Sequence, residues 1–72
     1  MKMSELQEGA RARVIRIDGD VKLKHRIGVL GIFESALVSI ASQNHFGRIV
    51  QVFGSKFMIS DDILDKVIVE KF

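Results

Sequence analysis

Residues 24–37 read KHRIGVLGIFESAL, running from Lys24 to Leu37, and they decide the architecture. Leu23, Ile27 and Leu30 recur at helical spacing, so one face of a short helix is apolar. Gly31 then stops it, because glycine alone takes the left-handed conformation of a helix C-terminus without steric cost. Ile32 and Phe33 follow directly and lead into a strand-like run. A single helix ended by glycine between strands predicts a small barrel interrupted by one helix, not a helical bundle.

Upstream, Asp18-Gly19-Asp20 turns the chain, with Asp18 or Asp20 available as N-cap. The helix is expected over Val21 to Leu30, about 15 Å long by the standard rise. Its stripe would carry Lys22, Lys24 and Arg26 on the side away from the core. Gly28 inside it costs about 1 kcal/mol against alanine, so either a neighbour packs close there or the helix frays. Ala10 to Ile17, after an opening turn closed by Gly9, reads as a first strand. Its alternation slips between the face of Ala12 and Val14 and that of Ile15 and Ile17, which predicts a bulge or a strong curve.

Downstream, Ala36 to Ser42 is a second strand and Gln43 to Gly47 a polar loop. Arg48 to Phe53 and Lys56 to Ser60 flank Gly54-Ser55, the signal of a type II′ hairpin. Ser60 is placed to cap one helical turn, with Asp61 and Asp62 suited to its N-terminal dipole. Lys66 to Glu70 returns as a last strand. About five short strands, one inserted α-helix and a short C-terminal helical turn predict a mainly β fold: a small, SH3-like, partly open barrel. The expected core is Leu6, Val14, Ile17, Leu23, Ile27, Leu30, Val38, Ile40, Val50, Val52, Phe57, Ile59, Val67 and Val69.

Seventy-two residues predict a single domain spanning 1–72 with a small core. The apolar fraction of 47% suits a globular chain rather than a disordered one. There is no cysteine, hence no disulfide and no thiolate metal or redox site. The start, MKMSELQEG, lacks an apolar signal segment, and the longest apolar run is Ile27 to Phe33. A cytoplasmic, soluble chain is expected. Net charge is +2, yet Arg11, Arg13, Arg16, Lys22, Lys24 and Arg26 outnumber Asp18 and Asp20 in one stretch, which favours acidic partners.

Catalytic signals are missing. No serine sits in a nucleophile elbow and no phosphate-binding glycine motif occurs. No enzyme activity and no cofactor are expected. His25, His45, Asp18 and Asp20 are the residues that a divalent transition metal would want, but their spacing does not bring them together, so no dedicated metal site is expected. The first-strand arginines could follow a phosphate backbone. With no Trp or Tyr, and with Phe53 and Phe57 alternating into hairpin or core positions, only Phe33, Phe46 and Phe72 are left as exposed stacking platforms, and nucleic acid is not the expected partner. Ile32 and Phe33 together are difficult to bury in so small a core, so an apolar docking patch beside a basic helix face is expected.

The order of these pieces resembles the FeoA family. His25-Arg26, Ile27, Leu30, Gly31 and Ile32 match its basic pair, leucines, Leu-Gly and apolar turn. Ser4-Glu5-Leu6 with Gly9 and Ala12-Arg13-Val14 looks like its opening, and Gly47, Gly54, Phe57 and Ile59 like its hairpin. Leu64, Val67 and Val69 look like its ending. The chain departs from it at Glu8, where proline is usual, at Glu34-Ser35, where Pro-Gly is usual, and at Gly28, where a bulky residue is usual. The resemblance implies an accessory protein of bacterial ferrous iron uptake whose partner is FeoB, the membrane permease with a cytoplasmic GTP-binding domain. Under it, Lys22, Lys24, Arg26, Ile27, Leu30, Ile32 and Phe33 would form or support the partner-binding surface. Two other readings remain: a regulatory or dimerising barrel like the C-terminal domain of iron-dependent repressors, and a small RNA-binding barrel. An exposed sheet edge would also let two copies pair.

Overall fold

In the computed structural model, which describes residues 1–72, a 3-10 turn over Met3–Glu5 precedes strand β1, Arg11–Ile17. Helix α1, Val21–Gly28, comes next, then β2 (Leu37–Asn44), β3 (Gly47–Val52) and β4 (Ser55–Ser60). A single turn of helix, α2 (Asp61–Leu64), leads to β5, Val67–Lys71. The strands form one antiparallel sheet in the order β4-β3-β2-β1-β5. This is the expected mainly β, SH3-like barrel with one inserted helix. The N-terminus covers the free side of β5, where Met1 and Val69 exchange backbone hydrogen bonds of 3.0 and 2.8 Å.

Two bulges curl the sheet. Against β5, Val14 faces Val69 and Arg16 faces Ile68, leaving Ile15 as the extra, exposed residue. That is the slip visible in ARARVIRI, and it turns Ala12 and Val14 inward while Ile15 turns out. Between β2 and β3 the register shifts at Ala41. Curvature of this kind lets a few residues enclose a core.

That core holds Leu6, Val14, Ile27, Val38, Ile40, Val50, Val52, Ile59, Val67 and Val69, all foreseen from their spacing. Ile17, Leu23, Leu30 and Phe57 are only half-buried and pack against this core from its edge. Met3, Ala12, Ile32, Ala36 and Leu64 are buried as well. The 3-10 turn and α2 pack against one another and bring Met3 and Leu64 into the core, which periodicity in short segments does not reveal.

Two turns differ from expectation. The β2–β3 connection is a two-residue turn at His45-Phe46, shorter than a Gln43 to Gly47 loop, because Asn44 Oδ1 accepts from the Phe46 and Gly47 amides at 2.8 and 3.2 Å. The β3–β4 loop is Phe53-Gly54, one residue earlier than Gly54-Ser55, since Val52 pairs with Ser55. Both loop residues have positive φ, 49° and 79°, so the turn is type I′ and not II′. The cause is the inward set of Val50 and Val52, whose parity leaves Phe53 no core position.

At the barrel's end Arg48 ties three elements. Its Nε donates to the Leu6 carbonyl at 2.7 Å and its Nη1 to Asp61 Oδ1 at 2.6 Å. Asp61 therefore serves an ion pair, and the Ser60 side chain, contrary to the capping role its position predicts, makes no cap hydrogen bond.

Candidate docking surface

Asp20 starts α1: its side chain accepts from the Leu23 amide at 2.8 Å, while Asp18 instead pairs with Arg16 at 2.9 Å. The helix ends two residues before Leu30, in a Schellman motif. The Ile32 amide reaches the Ile27 carbonyl and the Gly31 amide that of Gly28, at 3.1 and 3.0 Å, with Gly31 at φ 104°. Gly28 has open space around its would-be Cβ, so no close neighbour explains it.

This stop decides which side chains face outward. Ile27 and Ile32 lie on either side of it and are both buried, at 3% and 0% exposure. Both stand among the partner-binding residues that the family resemblance implies, and the structure removes them from direct contact. Their part is to anchor α1 and the following turn on the core. Leu30 is half-buried. Phe33, by contrast, is 45% exposed, and Lys22, Lys24 and Arg26 are exposed and outside both ion pairs of the chain. Val21 on this helix and Val29 just after it add exposed apolar surface.

The chain then turns through Phe33–Ala36, closed by an Ala36 amide to Phe33 carbonyl bond of 3.0 Å, with Ser35 at φ 76°. Here Glu34-Ser35 does the work of a Pro-Gly pair, with serine accepting the strained position. The turn presents the Phe33 ring to Phe53 across the surface, centroids 5.7 Å apart and tilted by 30°. Beneath Phe53 lies Gly31, where a Cβ would stand 2.7 Å from the Phe53 ring.

Beyond this aromatic pair, the outer face of the sheet forms a cleft of about 290 Å³ lined by Arg11, Leu37, Val38, Ser39, Gln51, Val52, Phe53 and Phe72. Leu37, Phe53 and Phe72 are all more than half exposed. None is among the site residues that the sequence indicates. Parity could have found Leu37, because Val38 and Ile40 point inward; Phe53 required the correct hairpin register. A second notch, lined by Arg16, Ile17, Lys24, Phe33 and Glu34, lies on the α1 side.

No group of three His, Asp or Glu side chains comes together anywhere in the chain. His25 sits on α1, and His45 lies in the β2–β3 turn with its ring 4.9 Å from that of Phe46. No helix is long and apolar enough to cross a membrane.

Fold and surface together define a small SH3-like barrel that offers an exposed aromatic and cationic face. The chain belongs to the FeoA family: the FeoA domain model matches residues 1–71. Its fold is that of the crystal structure of the iron uptake regulatory protein FeoA, at a TM-score of 0.94 and 23% identity, covering 100% of this chain and 97% of the other. The solution structure of FeoA from Chlorobium tepidum gives 0.88 at 23% identity, over 99% of this chain and 70% of that one. FeoA of Stenotrophomonas maltophilia, complexed with zinc and described as an SH3 domain protein, gives 0.81 at 24% identity, over 97% and 89%. No curated protein matches the chain in sequence.

Proposed function

We propose that this chain is a non-catalytic, cytoplasmic accessory protein of bacterial ferrous iron uptake that docks on the cytoplasmic region of the FeoB permease. The carrying observation is the FeoA domain match over residues 1–71. Solved relatives are described as an iron uptake regulatory protein and as a candidate activating factor of ferrous iron transport, which supports the same reading. The exposed helix face is the physical counterpart. Lys22, Lys24 and Arg26 stand free to steer an acidic surface, and Phe33 offers apolar contact beside them. Ile27 and Ile32 hold this face in place from within, with Leu30 half-buried beside them.

Retention of the purified chain on an immobilised FeoB cytoplasmic region tests this. The double variant Phe33→Asp, Arg26→Glu, shown to be folded by circular dichroism, is expected to lose retention about tenfold or more. Undiminished retention of that variant removes the helix face from the interface. No retention of the unaltered chain removes the permease as partner.

A further inference from the structure

Phe53 combines two properties that oppose one another. It is a bulky residue at positive φ, a conformation that glycine or asparagine takes far more readily. Its ring is also 72% exposed, so no core burial compensates for the strain. A residue held in a strained conformation to display an aromatic ring to solvent points to recognition. The ring forms one wall of the cleft on the outer sheet face, with Leu37 and Phe72 as its other large apolar side chains. Arg11 is the single charged side chain that lines the cleft. Alongside, the Arg13 guanidinium lies 5.7 Å from the Phe72 ring centroid.

Ser39 and Gln51, opposite one another on β2 and β3, also line the cleft. Neither side chain takes part in a hydrogen bond within the chain. Free amide and hydroxyl groups between apolar walls suit the backbone of an extended peptide. Single-stranded nucleic acid fits less well, because it needs open aromatic faces. Here the cleft has only two rings, Phe53 and Phe72, and Arg13 lies over the second.

We propose that this cleft binds an extended peptide segment of a partner, seating one aliphatic or aromatic side chain between Leu37, Phe53 and Phe72 and an acidic side chain against Arg11. This rests on the reading of the chain as a docking module and gives the bound segment a chemistry.

The test is a titration of the full ¹⁵N-labelled chain with two pools of capped nine-residue peptides, read by amide shifts. One pool fixes a leucine followed by an Asp-Glu pair; the other replaces that pair with Lys-Lys. The acidic pool is expected to give saturable shifts at Leu37, Ser39, Gln51 and Phe53, and the lysine pool to bind at least about fivefold more weakly. Arg11→Glu should weaken the acidic pool by a similar factor. Phe53→Asn should abolish binding while the chain stays folded, because Asn-Gly is the favoured type I′ pair. Four results overturn the proposal: no saturable shift, equal binding of both pools, binding unchanged in both variants, or a thymidine 12-mer shifting these amides while the acidic pool does not. Concentration-dependent shifts of the same amides without peptide would assign the cleft to a second copy and also overturn it. Binding of the acidic pool by a chain that the FeoB region does not retain supports the cleft and removes the permease as its partner. No saturable shift from the acidic pool in a chain that the FeoB region retains overturns the cleft and leaves the helix-face reading intact.

Discussion

Replacing Gly31 by alanine tests the contact on which the exposed aromatic pair depends. The backbone there has φ 104°, which an L side chain takes at a cost of about 1–2 kcal/mol. The new methyl would also stand 2.7 Å from Phe53 Cδ2 and 3.3 Å from Val52 Cγ2. The Phe53 ring is free to swing aside, but doing so breaks its contact with Phe33, worth about 0.5–1.5 kcal/mol. The sum is about 2–3 kcal/mol. A chain of 72 residues has roughly 4–11 kcal/mol in all, so this is a large share. Urea unfolding followed by circular dichroism measures it, with a fall in Tm of about 10–20 °C as the thermal counterpart. The discriminating measurement is the double-mutant cycle with Phe53→Asn. That variant alone loses the ring pair and relieves its own turn, so its stability should stay within about 1 kcal/mol of the parent. In its background Gly31→Ala should cost only the backbone share, giving a coupling of about 1 kcal/mol. Equal cost in both backgrounds, within about 0.3 kcal/mol, refutes the steric account.

Gly28→Ala should stabilise by about 0.5–1 kcal/mol, visible as a higher urea midpoint, because the position is helical and its Cβ direction is empty. Gly47→Ala should be among the most damaging single changes, at about 3 kcal/mol, since its Cβ would meet the Ile59 carbonyl and stand 2.8 Å from Ser60 Cα; backbone of a paired strand cannot swing away as a ring can. Arg48→Lys should cost about 2 kcal/mol despite keeping the charge, because a point ammonium cannot serve both the Leu6 carbonyl and Asp61. Asp20→Ala removes the α1 cap and should cost about 1 kcal/mol, with earlier hydrogen exchange in the Leu23 and Lys24 amides.

Much of this molecule was legible from residue order. Helix α1 and its glycine stop, the bulge in β1, five strands and most of the core follow from local rules of spacing and φ preference. Each of those signals is carried by neighbours a few residues apart. The outward basic row of Lys22, Lys24 and Arg26 follows from the same periodicity. What neighbours alone do not encode is parity carried across the sheet. Whether Phe53 ends a strand or heads a turn depends on the pairing of Val52 with Ser55, and that register is held by the inward seat of Val50 and Val52. Likewise Ile32 and Phe33 are adjacent and equally apolar, and only the Schellman geometry sends the first into the core and leaves the second half exposed. Leu37, Phe53, Phe72 and Arg11 come from four separate places in the chain and meet only because a curled sheet brings its β1–β2–β3 outer face and its last residue together. Short-range chemistry therefore determined the elements, whereas long-range packing, which sums many weak contacts between distant segments, decided which rings the surface displays.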